Sequence, residues 1–190
     1  IGVSDMERSI EFYREVLGYD QLLSDQSGQF SDWQGVAGGA GQFRRVLLGH
    51  HDERLGPFSR MFGNTEIELV QALDTSRAPR RIYENRYWGD LGFIHLCFDV
   101  TGMGKLKEHC AALGHPFTVD SSGSFDMGEA SGAFAYIEDP DATLIEFVEA
   151  HKIPILKKAN WYLNLSRRPN PGKPLPNWMV RALGMGRVRD

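Results

Sequence analysis

The chain has 190 residues, 42% of them hydrophobic and 24% charged, with a net charge of −4; that length suits one domain or two small modules sharing a core. No run approaches the 18 apolar residues of a membrane span, no signal peptide is evident, and Cys97 and Cys110, the only two cysteines, make no disulfide framework, so reduced thiols and a cytoplasmic location are expected. Residues 151–190 carry nine Lys/Arg and one acid, whereas the first 150 carry 12 Lys/Arg and 24 acids; opposite charges of that size are expected to draw the basic segment onto the acidic body, with neither nucleic acid nor a membrane as partner.

In chain order, Ile1 and Val3 alternate as a strand does. Ser4 and Asp5 are N-cap types, and Glu7 lies three residues after Ser4 as in a capping box. Met6, Ile10, Tyr13 and Leu17 then recur at helical spacing, and Gly18 is suited to the positive φ that ends a helix. Residues 28–64 contain the glycine-rich stretch Gly35 to Gly41. That stretch has no lysine and no regular glycine spacing, so a flap beside a pocket fits it better than a phosphate cradle. Thr65–Gln71 reads as an apolar strand carrying Glu68. Residues 74–89 link to a second copy of the pattern: strand 93–100, then Met103, Leu106, Cys110 and Leu113 at helical spacing, Gly114 as the stop, a next strand begun by Pro116–Val119, and a last strand, 143–149, carrying Glu146.

The two glycine stops are 96 residues apart, and each copy ends in an apolar strand with a glutamate at its centre. An internal repeat of this kind implies two related modules: 1–73 and 90–150, joined by the linker 74–89. Gly18 to Glu68 spans 50 residues and Gly114 to Glu146 spans 32, so the first copy has about 18 extra residues. Beyond residue 150 the composition changes. Lys152–Leu165 is expected to be strand-like and then helical, Pro169–Pro176 to be an extended proline-rich connector, and Asn177–Leu183 to be a short helix stopped by Gly184. The large apolar side chains of 151–190, among them Trp161, Leu165 and Trp178, are too many for a free tail, so this extension is expected to pack on the modules or on a partner subunit.

His95 shares a strand face with Phe93 and Cys97, Glu146 with Leu144 and Val148, and Glu68 with Glu66 and Val70. One histidine or one strand glutamate alone is more often structural. Burying a carboxylate without a partner is costly, so two glutamates at matching places in the repeat, together with a histidine, favour a divalent-metal site. The donor set is nitrogen and oxygen, which suits Zn, Ni, Co, Mn or Fe without choosing among them. Trp33, Trp88, Phe125 and Met127 are candidate pocket-lining residues, His50 and His51 candidate rim residues, and the substrate-binding residues themselves are unknown.

Three segments together carry a resemblance: Val3–Gly18, with Ser4-Asp5-Met6 and Phe12-Tyr13; Phe93-Ile94-His95-Leu96-Cys97-Phe98-Asp99-Val100; and Ile137-Glu138-Asp139-Pro140-Asp141-Ala142-Thr143-Leu144-Ile145-Glu146. They resemble the vicinal oxygen chelate superfamily of glyoxalases, bleomycin-resistance proteins and extradiol dioxygenases, over roughly residues 1–150. The resemblance implies an α+β fold in which two βαβββ modules form one eight-stranded open barrel-like cleft around a metal. It also implies Glu68, His95 and Glu146 as metal ligands, with a further histidine expected just ahead of Ile1. Glu146 would also be the catalytic base. The implied activity is that of a lyase or isomerase of the lactoylglutathione lyase or epimerase kind, acting on a small molecule with adjacent oxygens; a homodimer of this chain is a possible assembly. The alternatives within the same fold are an extradiol-type dioxygenase and a non-enzymatic drug-binding or resistance module.

Overall fold

The computed structural model describes residues 1–74, 76, 78–121, 125–126, 130–156 and 160–184. The chain divides into two compact units. The first comprises Ile1–Glu53, Asn64–Ile94 and Glu138–Thr143, and the second Arg54–Gly63, His95–Ile137 and Leu144–Asp190.

In the first unit, helix α1 (Met6–Leu17) is followed by strands β1 (Gln21–Gly28), β2 (Phe43–Gly49) and β3 (Ile67–Ala72), which form an antiparallel sheet in the order β1-β2-β3. The helix is capped by Asp5, whose side chain accepts from Arg8 N at 3.1 Å. Ser4 does not serve as the cap, because its amide and hydroxyl are both engaged by the carboxylate of Asp141. Gly18, at φ +71°, ends the helix: its amide donates to Arg14 O and that of Tyr19 to Tyr13 O. A residue with a Cβ is strained at that φ. Met6, Phe12 and Val16 are buried with Val46, Leu48, Ile67 and Leu69, each such side chain contributing about 1.5–3 kcal/mol of gross burial energy. Tyr13, fully buried, donates to Asp139 at 2.8 Å.

The second unit contains α2 (Ser59–Phe62), β4 (Leu96–Asp99), α3 (Met103–Ala112), β5 (Val119–Asp120), β6 (Phe125–Asp126), β7 (Ser131–Glu138), β8 (Leu144–Leu156), β9 (Trp161–Asn164) and α4 (Asn177–Gly184). The sheet runs β4-β8-β7-β5, with β6 on β7 and β9 on β8. The first residue of α3 has no capping side chain of its own; Glu149 of β8 accepts from Gly102 N and Met103 N instead. Gly114, at φ +83°, follows the helix. Ile145 and Phe147 point to the buried side of β8, and Leu144, Glu146 and Val148 to the other.

The repeat is visible in the pairing. Gly2 forms a parallel bridge with Val70, and Asp99 pairs in parallel with Val148. Val70 and Val148 each lie two residues after the strand glutamate. The matching hydrogen bonds, Val3 N to Val70 O and Val100 N to Val148 O, are both 2.9 Å. The fold is thus α+β with βαβββ-type modules, its strands in two open sheets, neither closed into a barrel.

Two expectations change. The strand placed at 93–100 begins only at Leu96, and Phe93 is 48% exposed. Lys152–Leu165 does not turn helical. Strand β8 continues to Leu156 and β9 pairs back on it, with Lys152 opposite Asn164 and Ile153 opposite Leu163. An open strand edge satisfies the backbone of Trp161–Asn164 more directly than an isolated helical turn would. The extension then buries Leu165 and Leu175, stacks Trp161 on Trp178 at 5.9 Å and ends in α4. It also meets part of the extra segment of the first copy: Gly56 N donates to Gly172 O at 2.8 Å, Leu175 N to Pro57 O at 2.9 Å, and Arg60 to Asn177 at 3.1 Å. Among the described residues no helix is long and apolar enough to cross a membrane.

Candidate functional site

Strands β4 and β8 run parallel with Cys97 opposite Glu146. Directly opposed residues share a face, and His95, two before Cys97, shares it as well. The result is a histidine–carboxylate pair, with His95 Nε2 3.0 Å from Glu146 Oε2. The other carboxylate oxygen, Oε1, accepts from the hydroxyl of Tyr136 on β7 at 2.7 Å. The Tyr136 ring stands edge-on to the imidazole, 5.5 Å between centroids. The His95 and Glu146 side chains are 24% and 17% exposed, open enough for a small ligand to reach them.

Cys97 adds a third group. The residue is exposed, yet crowding of its thiol by protein, and then its hydrogen bond to Glu146, push the thiol up to about 12. Such a sulfur stays protonated at neutral pH in the metal-free chain and is a poor nucleophile there.

Glu68 lies on β3 of the first unit. The register sets Leu47 opposite Glu68 and Arg45 opposite Val70, so Arg45 reaches Glu68 along the diagonal, Nε to Oε1 at 2.8 Å. Arg45 also meets Asp32 at 3.1 Å, and its guanidinium lies under the rings of Trp33 (4.2 Å) and Phe30 (4.7 Å). The hydrogen bond to Glu68, against desolvation, holds the guanidinium above its ordinary value. Glu68 is 37% exposed on its side chain.

Of the three donors named from sequence, the structure brings His95 and Glu146 together and gives Glu68 an arginine partner. Among the described residues, no group of three His, Cys, Asp or Glu side chains is arranged to hold a metal ion. The His95–Glu146 pair fits a divalent cation in donor chemistry and in spacing. Two ligands bound at about 2.1 Å and roughly 90–110° apart would stand about 3.0–3.4 Å from each other, and the observed separation is 3.0 Å. The Tyr136 hydroxyl is the kind of outer partner that fixes a ligating carboxylate.

Other expectations resolve locally. His50 Nδ1 lies 2.5 Å from Gly18 O, its ring 4.1 Å from that of Tyr19, and His51 is 3.3 Å from Asp20. Trp33 packs on Arg45 and Phe43, while Trp88 is 60% exposed. The side chain of Phe125 and the whole of Met127 lie outside the described residues. Tyr136 and Arg45 were not anticipated. The signal for Tyr136 was present: Ala133, Ala135 and Ile137 alternate as a buried face, which assigns Phe134 and Tyr136 to the face that Glu146 shares.

The description "Glyoxalase/Bleomycin resistance protein/Dioxygenase superfamily" matches residues 1–147. The chain belongs to this superfamily. Among solved structures, a glyoxalase family protein from Bacillus cereus is similar at 14% identity and a TM-score of 0.55, covering 79% of this chain and 89% of its own. A glyoxalase family protein from Enterococcus faecalis is similar at 18% identity and a TM-score of 0.52, covering 78% and 91%. At those identities the likeness establishes the superfamily's fold. A comparison with curated protein sequences finds no match.

Proposed function

We propose that the chain is a metal-dependent lyase or isomerase of the glyoxalase and epimerase kind, acting on a small molecule that presents adjacent oxygens. The observation that carries this reading is the His95–Glu146 pair with Tyr136 bound to the outer carboxylate oxygen. His95 and Glu146 would hold the cation. When bound, a divalent metal such as Zn, Ni, Co, Mn or Fe supplies Lewis acidity at a carbonyl oxygen and makes the neighbouring C–H easier to ionise. Glu146 is the base: it takes the proton from the carbon beside the carbonyl and returns it to that carbon or to its neighbour. Tyr136 donates to Oε1, so Oε2, beside His95, is the oxygen left to hold the cation and, once released from it, to move the proton.

Metal uptake is the first test. Chain stripped with a chelator is titrated with Zn(II), Ni(II), Co(II), Mn(II) and Fe(II), and His95→Gln and Glu146→Gln serve as variants. The expected result is uptake by the unsubstituted chain and loss in both variants; no uptake of any of the five rejects the reading. Solvent deuterium entering the carbon beside the substrate carbonyl then reports the proton transfer.

One observation favours a second reading. The charge of Glu68 is already balanced by Arg45. If Glu68 is therefore no ligand, the remaining histidine and glutamate suit an extradiol-type dioxygenase that uses Fe(II). Oxygen uptake with catechols tests it.

A further inference from the structure

Beside the His95–Glu146 pair, the same face of the second unit's sheet is aromatic and apolar. The Tyr136 ring stands edge-on to the imidazole, and the Phe134 ring stands edge-on to Tyr136 in turn, 6.2 Å between centroids. Two such contacts in series make one wall, which starts at the histidine and runs along β7. Val119 of β5 lies directly opposite Tyr136 and shares its face. Val119 is 48% exposed, and Phe134 and Tyr136 are half-buried, so each keeps surface for a ligand. The core of the unit is built on the other face, from Ala133, Ala135, Ile137, Ile145 and Phe147. The two rings are therefore not part of that filling.

Charge narrows what the wall can receive. Glu146 is an acid on this face, and so is Asp99, which lies opposite Val148. Among the described strand residues of the face, the one cation is Lys152. It stands six residues beyond Glu146, roughly 20 Å along β8, with its ammonium over the Tyr162 ring at 4.5 Å. A carboxylate or phosphate laid on the wall would meet two acids and no partner, and burying an unpaired charge is costly. An uncharged ring or alkyl group meets apolar surface instead.

We infer that Phe134, Tyr136 and Val119 form a specificity subsite for an uncharged apolar or aromatic group borne next to the substrate's adjacent oxygens. The inference rests on the proposed reaction at His95 and Glu146 and names the substrate class for it. A substrate whose flank carries carboxylates or phosphates is disfavoured on this face.

The test uses three hydroxamates, each of which presents two adjacent oxygens. They are titrated calorimetrically into the full chain, loaded with whichever of Zn(II), Ni(II), Co(II), Mn(II) or Fe(II) it takes up most tightly. Covering about 60 Å² of a phenyl ring strengthens binding about 10-fold. Phenylacetohydroxamate is therefore expected to bind about 10-fold more tightly than acetohydroxamate, and succinate monohydroxamate no more tightly than acetohydroxamate. Phe134→Ala is expected to cut the phenyl preference to about 3-fold or less. Val119→Lys, at an exposed position, keeps the test valid if Phe134→Ala folds poorly. It is expected to tighten succinate monohydroxamate several-fold relative to acetohydroxamate. Equal affinities for the phenyl and methyl probes would overturn the inference, as would tighter binding of the anionic probe by the unsubstituted chain. An unchanged phenyl preference in folded Phe134→Ala, or an unchanged anion affinity in Val119→Lys, would also overturn it. In each of these cases metal uptake leaves the proposed function standing. If the chain takes up none of the five cations, both fail.

Discussion

Tyr136→Phe removes one hydroxyl and leaves the ring in place. The lost bond is 2.7 Å long and ends on a carboxylate oxygen of Glu146, in the short, charge-assisted class. Such bonds contribute about 1.5–3 kcal/mol when fully enclosed. Because 17% of the Glu146 side chain is exposed, water recovers part of that loss, and about 1–1.5 kcal/mol is the expected cost. At roughly 2–4 °C per kcal/mol for a chain of this size, the melting temperature should fall by about 2–6 °C. The assay is thermal unfolding followed by circular dichroism, paired with Zn(II) titration of the same sample. Freed of its outer partner, Glu146 samples more rotamers, and metal affinity should drop about 10-fold. A melting temperature and an affinity both within error of the unsubstituted chain would refute the claim that Tyr136 orients Glu146. A lower melting temperature with unchanged affinity would leave Tyr136 a packing residue only.

Other outcomes follow from the same contacts. Asp139 is 4% exposed and accepts from Tyr13 Oη, Asp141 N and Thr143 N. Asp139→Ala strands three donors and should cost roughly 3–5 kcal/mol in urea unfolding, with Tyr13→Phe costing about 1–2; equal costs would contradict a three-donor role. Asp99 is crowded by protein and repelled by Glu149, and its carboxyl is pushed up from 3.8 to about 6. The folded chain therefore holds the proton longer than the unfolded chain does, and stability falls as pH rises from about 4 to about 6. Asp99→Asn should stabilise the chain above pH 6 by at most about 1 kcal/mol, after discounting for its exposed face, and by nothing below about pH 4. A gain of the same size at both pH values would rule out this cause.

The residues legible from sequence are those whose signals are local or repeated. Helix α1 follows from Met6, Ile10, Tyr13 and Leu17 at helical spacing and from the φ that Gly18 tolerates, although the face it buries is Met6, Phe12, Tyr13 and Val16. The pairing of the modules follows from two strands built alike around Glu68 and Glu146. Partners chosen by register are hidden from such a reading. Arg45 meets Glu68 only because β2 and β3 align Leu47 with Glu68, and Tyr136 meets Glu146 across two neighbouring strands. The Arg45 pairing has no sequence signature, and for Tyr136 the alternation of Ala133, Ala135 and Ile137 gives the face but not the partner. Strand β9 was misjudged because Trp161-Tyr162-Leu163-Asn164 lacks clear alternation, and the edge of β8 decides its conformation.

The hydrogen bonds between Gly56 and Gly172 and between Pro57 and Leu175 also bear on how the chain is made. Residues 54–63 are synthesised in the middle of the first module but belong to the second unit. Their partners follow about 116 residues later, roughly 6–23 s at 5–20 residues per second. For that interval Gly56 N and Pro57 O lack these partners, beside Leu55, Met61 and Phe62, which stay exposed in the folded chain too. The second unit therefore cannot close these contacts until residues 172–175 have been made.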